Sequence, residues 1–289
     1  MQEIHRIGRH FWYMTPVSET DRPILGMVVG KSRTLMIDAG NSEAHAQLFI
    51  RELEKQGMPQ PSFVALTHWH WDHIFGLSGL GDIVSISSAL TKIEMEKLLP
   101  LSWSDEALAE RVAAGTEIEF CATAIGHEFP NERNIEIVLP SLTFEGRLEI
   151  DLGGVTCVLQ QVGGDHAADS VVVYVPQEKL LFLGDCMYQD IFSPPANYTV
   201  KRTLDLLDTL EAFEADTYVI SHWKPISKEE FRREVSIMRH AARITEECQG
   251  RLEAMKQAYQ QCAGRELEED EEEILEYFAN GYARGQAQN

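Results

Sequence analysis

The sequence predicts an α/β fold: a four-layer αββα sandwich with an added helical segment at its C-terminal end. Three observations predict it. Two series of short apolar strands occur, one from Phe11 to Ile86 and one from Arg147 to His222, and each is followed by helical patterns. Histidine and aspartate residues collect where strands end, so the sandwich would gather them on loops along one sheet edge. No Pro- or Ser-rich linker divides the two halves, which therefore read as one composite domain. The domain is expected over residues 1–227, and a helical extension over 228–289.

The first series opens with Phe11-Trp12-Tyr13-Met14, Ile24 to Val29 and Thr34 to Ile37, broken by glycines and the Lys31-Ser32 turn into a meander or hairpin. Ser42 to Gln56 reads as a helix, with Ser42 as N-cap, Gly57 as stop, and Ala44, Leu48 and Leu53 on one face. Pro59 and Pro61 lead into a buried strand, Phe63-Val64-Ala65-Leu66. A strand at Ile83 to Ile86 and a helix at Ala89 to Leu99 follow. Residues 100–140 carry a helix at Ala107 to Ala113 and no clean period from Cys121 to Pro140. Trp103, Phe120 and Phe129 could roof a site or form a small apolar satellite cluster.

The second series is Arg147 to Asp151, Val155 to Gln160, Val171 to Val175 and Leu180 to Leu183. Leu204, Leu207, Leu210 and Phe213 have helical spacing, and a further strand runs to His222, with Pro225 ending its loop. Ile237, Ala241, Ile244, Cys248, Leu252, Met255, Tyr259 and Cys262 recur at steps of three and four, which predicts one long amphipathic helix. Its stripe is expected to pack on the sandwich or on a second subunit, giving a possible homodimer.

Among 289 residues, 44% are hydrophobic, enough for a buried core. A formal net charge of −21 opposes binding to phosphate backbones, so no nucleic-acid partner is expected. Part of that charge is the run Glu268 to Glu273, read as a solvated loop or helix start. No apolar run is long enough for a membrane span, and the first residues lack the apolar core of a signal peptide. Five cysteines without a CxxC pair suit reduced thiols, and a cytoplasmic location is expected. Cys186 is read as packing, with a role in the site beside Asp185 as the alternative.

The chemistry concentrates in Thr67-His68-Trp69-His70-Trp71-Asp72-His73. On an extended backbone His68 and His70 point to one side, whereas adjacent Asp72 and His73 would point apart and could serve a second ion. Neutral imidazole with carboxylate suits zinc, and also iron or manganese. Ser170 and Ser221 lie in no nucleophile-elbow sequence.

This stretch resembles the His-x-His-x-Asp-His signature of the metallo-β-lactamase superfamily. The chain is similar to that superfamily's two-metal hydrolases, such as glyoxalase II and the acyl-homoserine lactonases, over roughly residues 5–225. Their remaining ligands have counterparts in Gly163-Gly164-Asp165-His166, Phe182-Leu183-Gly184-Asp185 and Tyr218-Val219-Ile220-Ser221-His222. The resemblance implies that His68, His70 and His166 hold one metal and that Asp72, His73 and His222 hold the other. Asp185 would bridge the two. It also implies that Ile37-Asp38-Ala39-Gly40 places Asp38 behind the metal loop as a hydrogen-bonding support.

The function implied is hydrolysis of an ester, lactone or thioester carbonyl by a metal-bridging hydroxide on two divalent ions, zinc first, acting on a small-molecule substrate. Asp72 and Tyr188 are the candidate catalytic side chains; Tyr188 lies three residues after the bridging aspartate, as in the lactonases. Lys201 and Arg202 are the only basic residues matching those that hold glutathione carboxylates in glyoxalase II. The same site could serve a phosphodiesterase, and a non-catalytic interaction protein stabilised by its metals is the third reading.

Overall fold

In the computed structural model, which describes residues 2–131 and 133–287, alternating side chains divide three apolar cores among four layers. The first sheet runs in chain order: β1 (Ile4–Ile7), β2 (Phe11–Met14), β3 (Leu25–Val29), β4 (Thr34–Ile37), β5 (Phe63–Ala65), β6 (Val84–Ser88) and β7 (Leu142–Phe144). Strands β1 to β4 are antiparallel; β4 to β7 are parallel. The parallel links need crossovers, supplied by α1 (Glu43–Lys55), α2 (Trp71–Ile74), α3 (Ala89–Glu96), α4 (Asp105–Ala114) and α5 (Glu119–Glu128).

The second sheet has the order β13-β12-β11-β10-β9-β8. Its members are β8 (Arg147–Asp151), β9 (Thr156–Gln161), β10 (Val171–Val175), β11 (Leu180–Gly184), β12 (Thr217–Ile220) and β13 (Pro225–Ser227). All neighbours are antiparallel except β11 and β12, which are parallel across α6 (Val200–Glu211). The chain ends in α7 (Lys228–Cys248), α8 (Leu252–Ala263) and α9 (Glu269–Ala287).

Period-two alternation sorts the strands. Leu35 and Ile37 of β4 join Val171, Val173, Phe182 and Val219 between the sheets, while Met36 faces α1 with Ala46, Phe49 and Leu53. Val172, Leu181 and Tyr218 face the other way, onto Leu207 of α6 and Phe231 and Met238 of α7. Because β4 runs parallel to β5, and β11 to β12, the C-terminal ends of all four strands meet at one edge. The αββα sandwich of the sequence analysis is therefore present, with helices after the domain.

Several local expectations need correction. The long helix expected from Ile237 to Cys262 is two helices, α7 and α8. Gln249 is left-handed (φ 54°) and Gly250 follows at φ 66°, so the stripe folds back on itself and onto α9. β1, β7 and β13 are as short as β2 and β5, but each buries at most one side chain, so no apolar run marks it, and α5 lies where the sequence shows no clean period. Its Cys121, Ala124 and Ile125 turn inward while Phe120 faces out, which blurs any single stripe. The acidic run does open a helix, but Glu271 is buried and takes Arg265 Nη2 at 2.7 Å and the Tyr259 hydroxyl at 3.0 Å. Position 132 of the 100–140 segment, and positions 1, 288 and 289, lie outside the described residues.

Candidate metal centre

The His68–His73 loop begins where β5 ends, and a buried carboxylate shapes it. Asp38, at the end of β4, accepts from the Thr67 amide (2.7 Å), the Thr67 hydroxyl (3.0 Å) and His73 Nδ1 (2.8 Å). Burial pushes the Asp38 carboxyl up, and His73 and Thr67 oppose that shift by favouring its charged form. Its left-handed backbone, φ 60°, turns the side chain under the loop, a conformation that aspartate tolerates better than most residues.

The remaining side chains arrive from the other sheet. Gly164, at φ 136°, lies where a Cβ would meet Cys186 O at 2.8 Å, and it carries the chain into Asp165-His166. Asp165 accepts from the Thr199 amide and hydroxyl (2.9 and 2.7 Å), which ties this loop to the start of α6. Gly184, at φ 57°, brings β11 so close to the metal loop that a Cβ would lie 3.0 Å from Thr67 Cβ. Asp185 thereby faces His68 and His73. His222 follows β12.

Two groups result. One is His68, His70 and His166; the other is Asp72, His73, Asp185 and His222; within each, the ligand atoms lie within 4.8 Å of one another. Asp72 and His73 do not point apart as expected. They sit on the short helix α2, not on extended backbone, and its curl brings Asp72 Oδ2 to 2.9 Å from His73 Nε2. The same oxygen is 3.0 Å from His222 Nε2. Asp185 Oδ2 lies 3.2 Å from His222 Nε2, 3.3 Å from His73, 3.5 Å from His166 and 3.9 Å from His68, and so touches both groups.

The donor set fits divalent ions. Ligands roughly 2.0–2.2 Å from an ion at near-tetrahedral angles sit about 3–3.5 Å apart, the spacing found here. Four imidazoles have their other nitrogen occupied: His73 by Asp38, His68 by Thr67 Oγ1 (3.1 Å), His166 by Gln189 O (3.2 Å) and His222 by Asp21 Oδ1 (3.2 Å). That directs their Nε2 atoms inward, toward one another. His68 Nε2 and Asp185 Oδ1 are buried without any hydrogen-bond partner. Unpaired buried acceptors are costly, and a cation would satisfy them.

Electrostatics separates the two groups. Burial holds His68 and His70 well below the usual imidazole range and lowers His166, so these are neutral donors. Burial works against charge on His73 and His222 too, but Asp72 and Asp185 raise both well above it. Against their own burial, Asp72 and Asp185 are held low by these histidines. Burial and the Asp72 carboxylate push Asp21 up to about 7.

A cleft of about 250 Å³ opens onto both groups, walled by Trp71, Phe120, Tyr188, Ile191 and Phe192. The Tyr188 ring centroid is 6.0 Å from that of His166 and 6.3 Å from that of His222. Burial and the Asp185 charge raise its phenol, which therefore keeps its proton. Of the expected roof aromatics, Phe120 lines the cleft, Trp103 is buried against Phe75, and Phe129 packs in the helical core. Cys186 is buried packing, and Ser170 donates to Ala167 O. Lys201 is exposed and pairs with Asp205. Sequence reading missed Asp21, Cys121, Ile191 and Phe192, all in the cleft wall; a lone aspartate in a turn, a cysteine in an aperiodic stretch and two apolar loop residues gave no signal.

Comparison with known proteins agrees with this fold. A profile of the metallo-beta-lactamase superfamily matches residues 22–222. A linear primary-alkylsulfatase from Pseudomonas sp. is 22% identical over 229 residues; the match covers 72% of this chain, which spans only 43% of that protein's length. A solved metallo-beta-lactamase from Pontibacter korlensis is 21% identical with a TM-score of 0.57, covering 82% of this chain and 98% of that one. A stereoselective inverting sec-alkylsulfatase from Pseudomonas sp. is 14% identical with a TM-score of 0.68, covering 98% of this chain and 50% of that one. The last match takes in the C-terminal helices as well as the sandwich.

Proposed function

This chain belongs to the metallo-beta-lactamase superfamily, and from that premise we propose that it is a dinuclear metal-dependent hydrolase of an ester, lactone or thioester. One observation carries the reading: Asp185 Oδ2 stands 3.2–3.9 Å from imidazole nitrogens of both groups, the position of a shared ligand. His68, His70 and His166 would hold one ion and Asp72, His73 and His222 the other, with Asp185 between them. Zinc suits this set first; iron and manganese also suit it. Two cations there would supply Lewis acidity to polarise a carbonyl and to activate water near neutral pH.

The chain's own groups do the rest. Trp71, Phe120, Ile191 and Phe192 exclude water from the cleft and bind the apolar part of a substrate. Asp72 faces the reacting centre from one wall. Tyr188, protonated and beside His166 and His222, donates a hydrogen bond to the carbonyl or leaving oxygen. The test is a screen of p-nitrophenyl esters, lactones and acyl thioesters with the zinc, manganese and iron forms. Tyr188→Phe should keep both ions and lower kcat by ~10²-fold, since one lost oxyanion hydrogen bond costs about that much. Unchanged kcat would return Tyr188 to the role of a wall. No turnover of any carbonyl substrate would sink the reading.

Likeness to two alkylsulfatases favours a second reading, cleavage of an alkyl sulfate. Against it, among the described residues no lysine or arginine lines the cleft to meet a sulfate. Alkyl sulfates and bis-p-nitrophenyl phosphate belong in the same screen, and turnover of either alone would replace the carbonyl reading. As partner we propose a small molecule, with no nucleic acid or membrane, given the net charge of −21; five cysteines without a CxxC pair suit the cytoplasm as location. A homodimer through the C-terminal helices would have to use their outer faces, because Ile244, Met255, Tyr259 and Phe278 are buried within the chain. Sedimentation of the purified protein decides that point.

A further inference from the structure

Beside the metal cleft lies a second, narrower cavity of about 80 Å³, and His70, Trp71 and Phe192 line both. Trp69, Leu98, Leu101 and Trp103 complete an apolar wall, and one cation, Arg111 from the last turn of α4, reaches the lining. Its guanidinium is held in place. Nη1 donates to Ser102 O at 2.7 Å, and the group lies 5.0 Å from the Trp103 ring centroid. Nε and Nη2 are buried and have no hydrogen-bond partner. These two nitrogens share one edge of the planar group, the edge that takes both oxygens of a carboxylate side-on. Glu117 also lines the slot, but its Oε1 accepts from the Ile118 amide (3.0 Å), and among the described residues no ion pair joins it to Arg111.

A fixed guanidinium with its bidentate edge unused, at an apolar slot that adjoins the reacting centre, has the form of a specificity site. We propose that the slot takes the far end of the substrate, an apolar chain ending in a carboxylate, which Arg111 binds through Nε and Nη2. This rests on the carbonyl-hydrolase reading and narrows it to esters or thioesters of ω-carboxy acids. The carboxylate supplies acceptors for both orphaned donors. The tryptophans pack on the chain and keep water from the pairing.

The test is binding, read without turnover. Trp69, Trp71 and Trp103 line the slot, so an unreactive ω-carboxyalkyl amide should quench tryptophan fluorescence in the metal-loaded protein. In the wild type, the free acid should bind roughly 10–100-fold more tightly than its methyl ester of the same chain length, as expected for hydrogen bonds to a charged group. Arg111→Met should abolish that preference, and Glu117→Gln should strengthen it. Equal binding of acid and methyl ester by the wild type would overturn the proposal, and needs no variant to fold. Kinetics with ω-carboxyacyl thioesters and their methyl-capped forms separates the two claims. Hydrolysis of both at equal kcat/KM leaves the hydrolase standing and removes the slot. Arg111-dependent binding without hydrolysis of any ester does the reverse.

Discussion

Replacing Asp38 by asparagine tests whether a residue outside the ligand set controls one half of the centre. Asp38 is fully buried and accepts three hydrogen bonds, at 2.7, 2.8 and 3.0 Å. Asparagine tolerates the left-handed φ of 60° and keeps one oxygen for the Thr67 amide, so the backbone should survive. Its NH₂ group, however, would face His73 Nδ1. Two donors cannot face each other, so His73 must shift its proton to Nε2, the nitrogen now 2.9 Å from Asp72 and 3.3 Å from Asp185. The lone pair meant for an ion is then lost. Changes to such supporting partners cost about 10–100-fold in metal affinity, or about 1.4–2.7 kcal/mol. Chelator competition on metal-loaded protein should show that loss for the ion held by His73, with a smaller loss at the His68, His70 and His166 group, where the Thr67 hydroxyl beside His68 loses its Asp38 acceptor. If Asp38→Asn holds both ions at wild-type affinity, the tautomer argument is wrong.

Other expectations concern stability. Gly184→Ala forces a side chain into left-handed backbone and against Thr67 Cβ at 3.0 Å. The backbone strain alone costs about 1–2 kcal/mol, and thermal unfolding should fall by roughly 2–4 °C for each kcal/mol. Hydrogen bonds from Arg265 hold Glu271 at about 2, below its unfolded value, so its contribution is present above the unfolded pKa and is lost as pH falls from about 4.5 toward 2. The melting temperature should drop over that window, less so in Glu271→Gln, and identical acid profiles would remove the assignment. Asp21→Asn takes the carboxylate from His222 Nδ1, 3.2 Å away, and should weaken the Asp72, His73 and His222 group in the same chelator assay.

The layers were legible because short continuous apolar runs such as Thr34–Ile37 and Val171–Val175 mark strands buried on both faces, against the opposite sheet and against helices. The His68 loop was legible because ligand-type residues rarely crowd so closely without a common target. What the sequence hid was curvature. The turn of α2 reverses the geometry that adjacent Asp72 and His73 would have on a strand, and a left-handed pair at Gln249 and Gly250 splits a continuous stripe. Long-range pairing was equally hidden. Nothing near Asp21 announces His222, two hundred residues on, and nothing in the sequence around Arg111 announces the neighbours that enclose it.

Metal content is the most direct measurement of the central claim. Protein purified without chelator or affinity metal, then analysed by inductively coupled plasma mass spectrometry, should carry about two divalent ions per chain. Asp185→Ala should lose at least one of them together with nearly all turnover. Protein that stays free of stoichiometric metal after supply of zinc, manganese and iron, or hydrolysis indifferent to ion removal, would contradict the account.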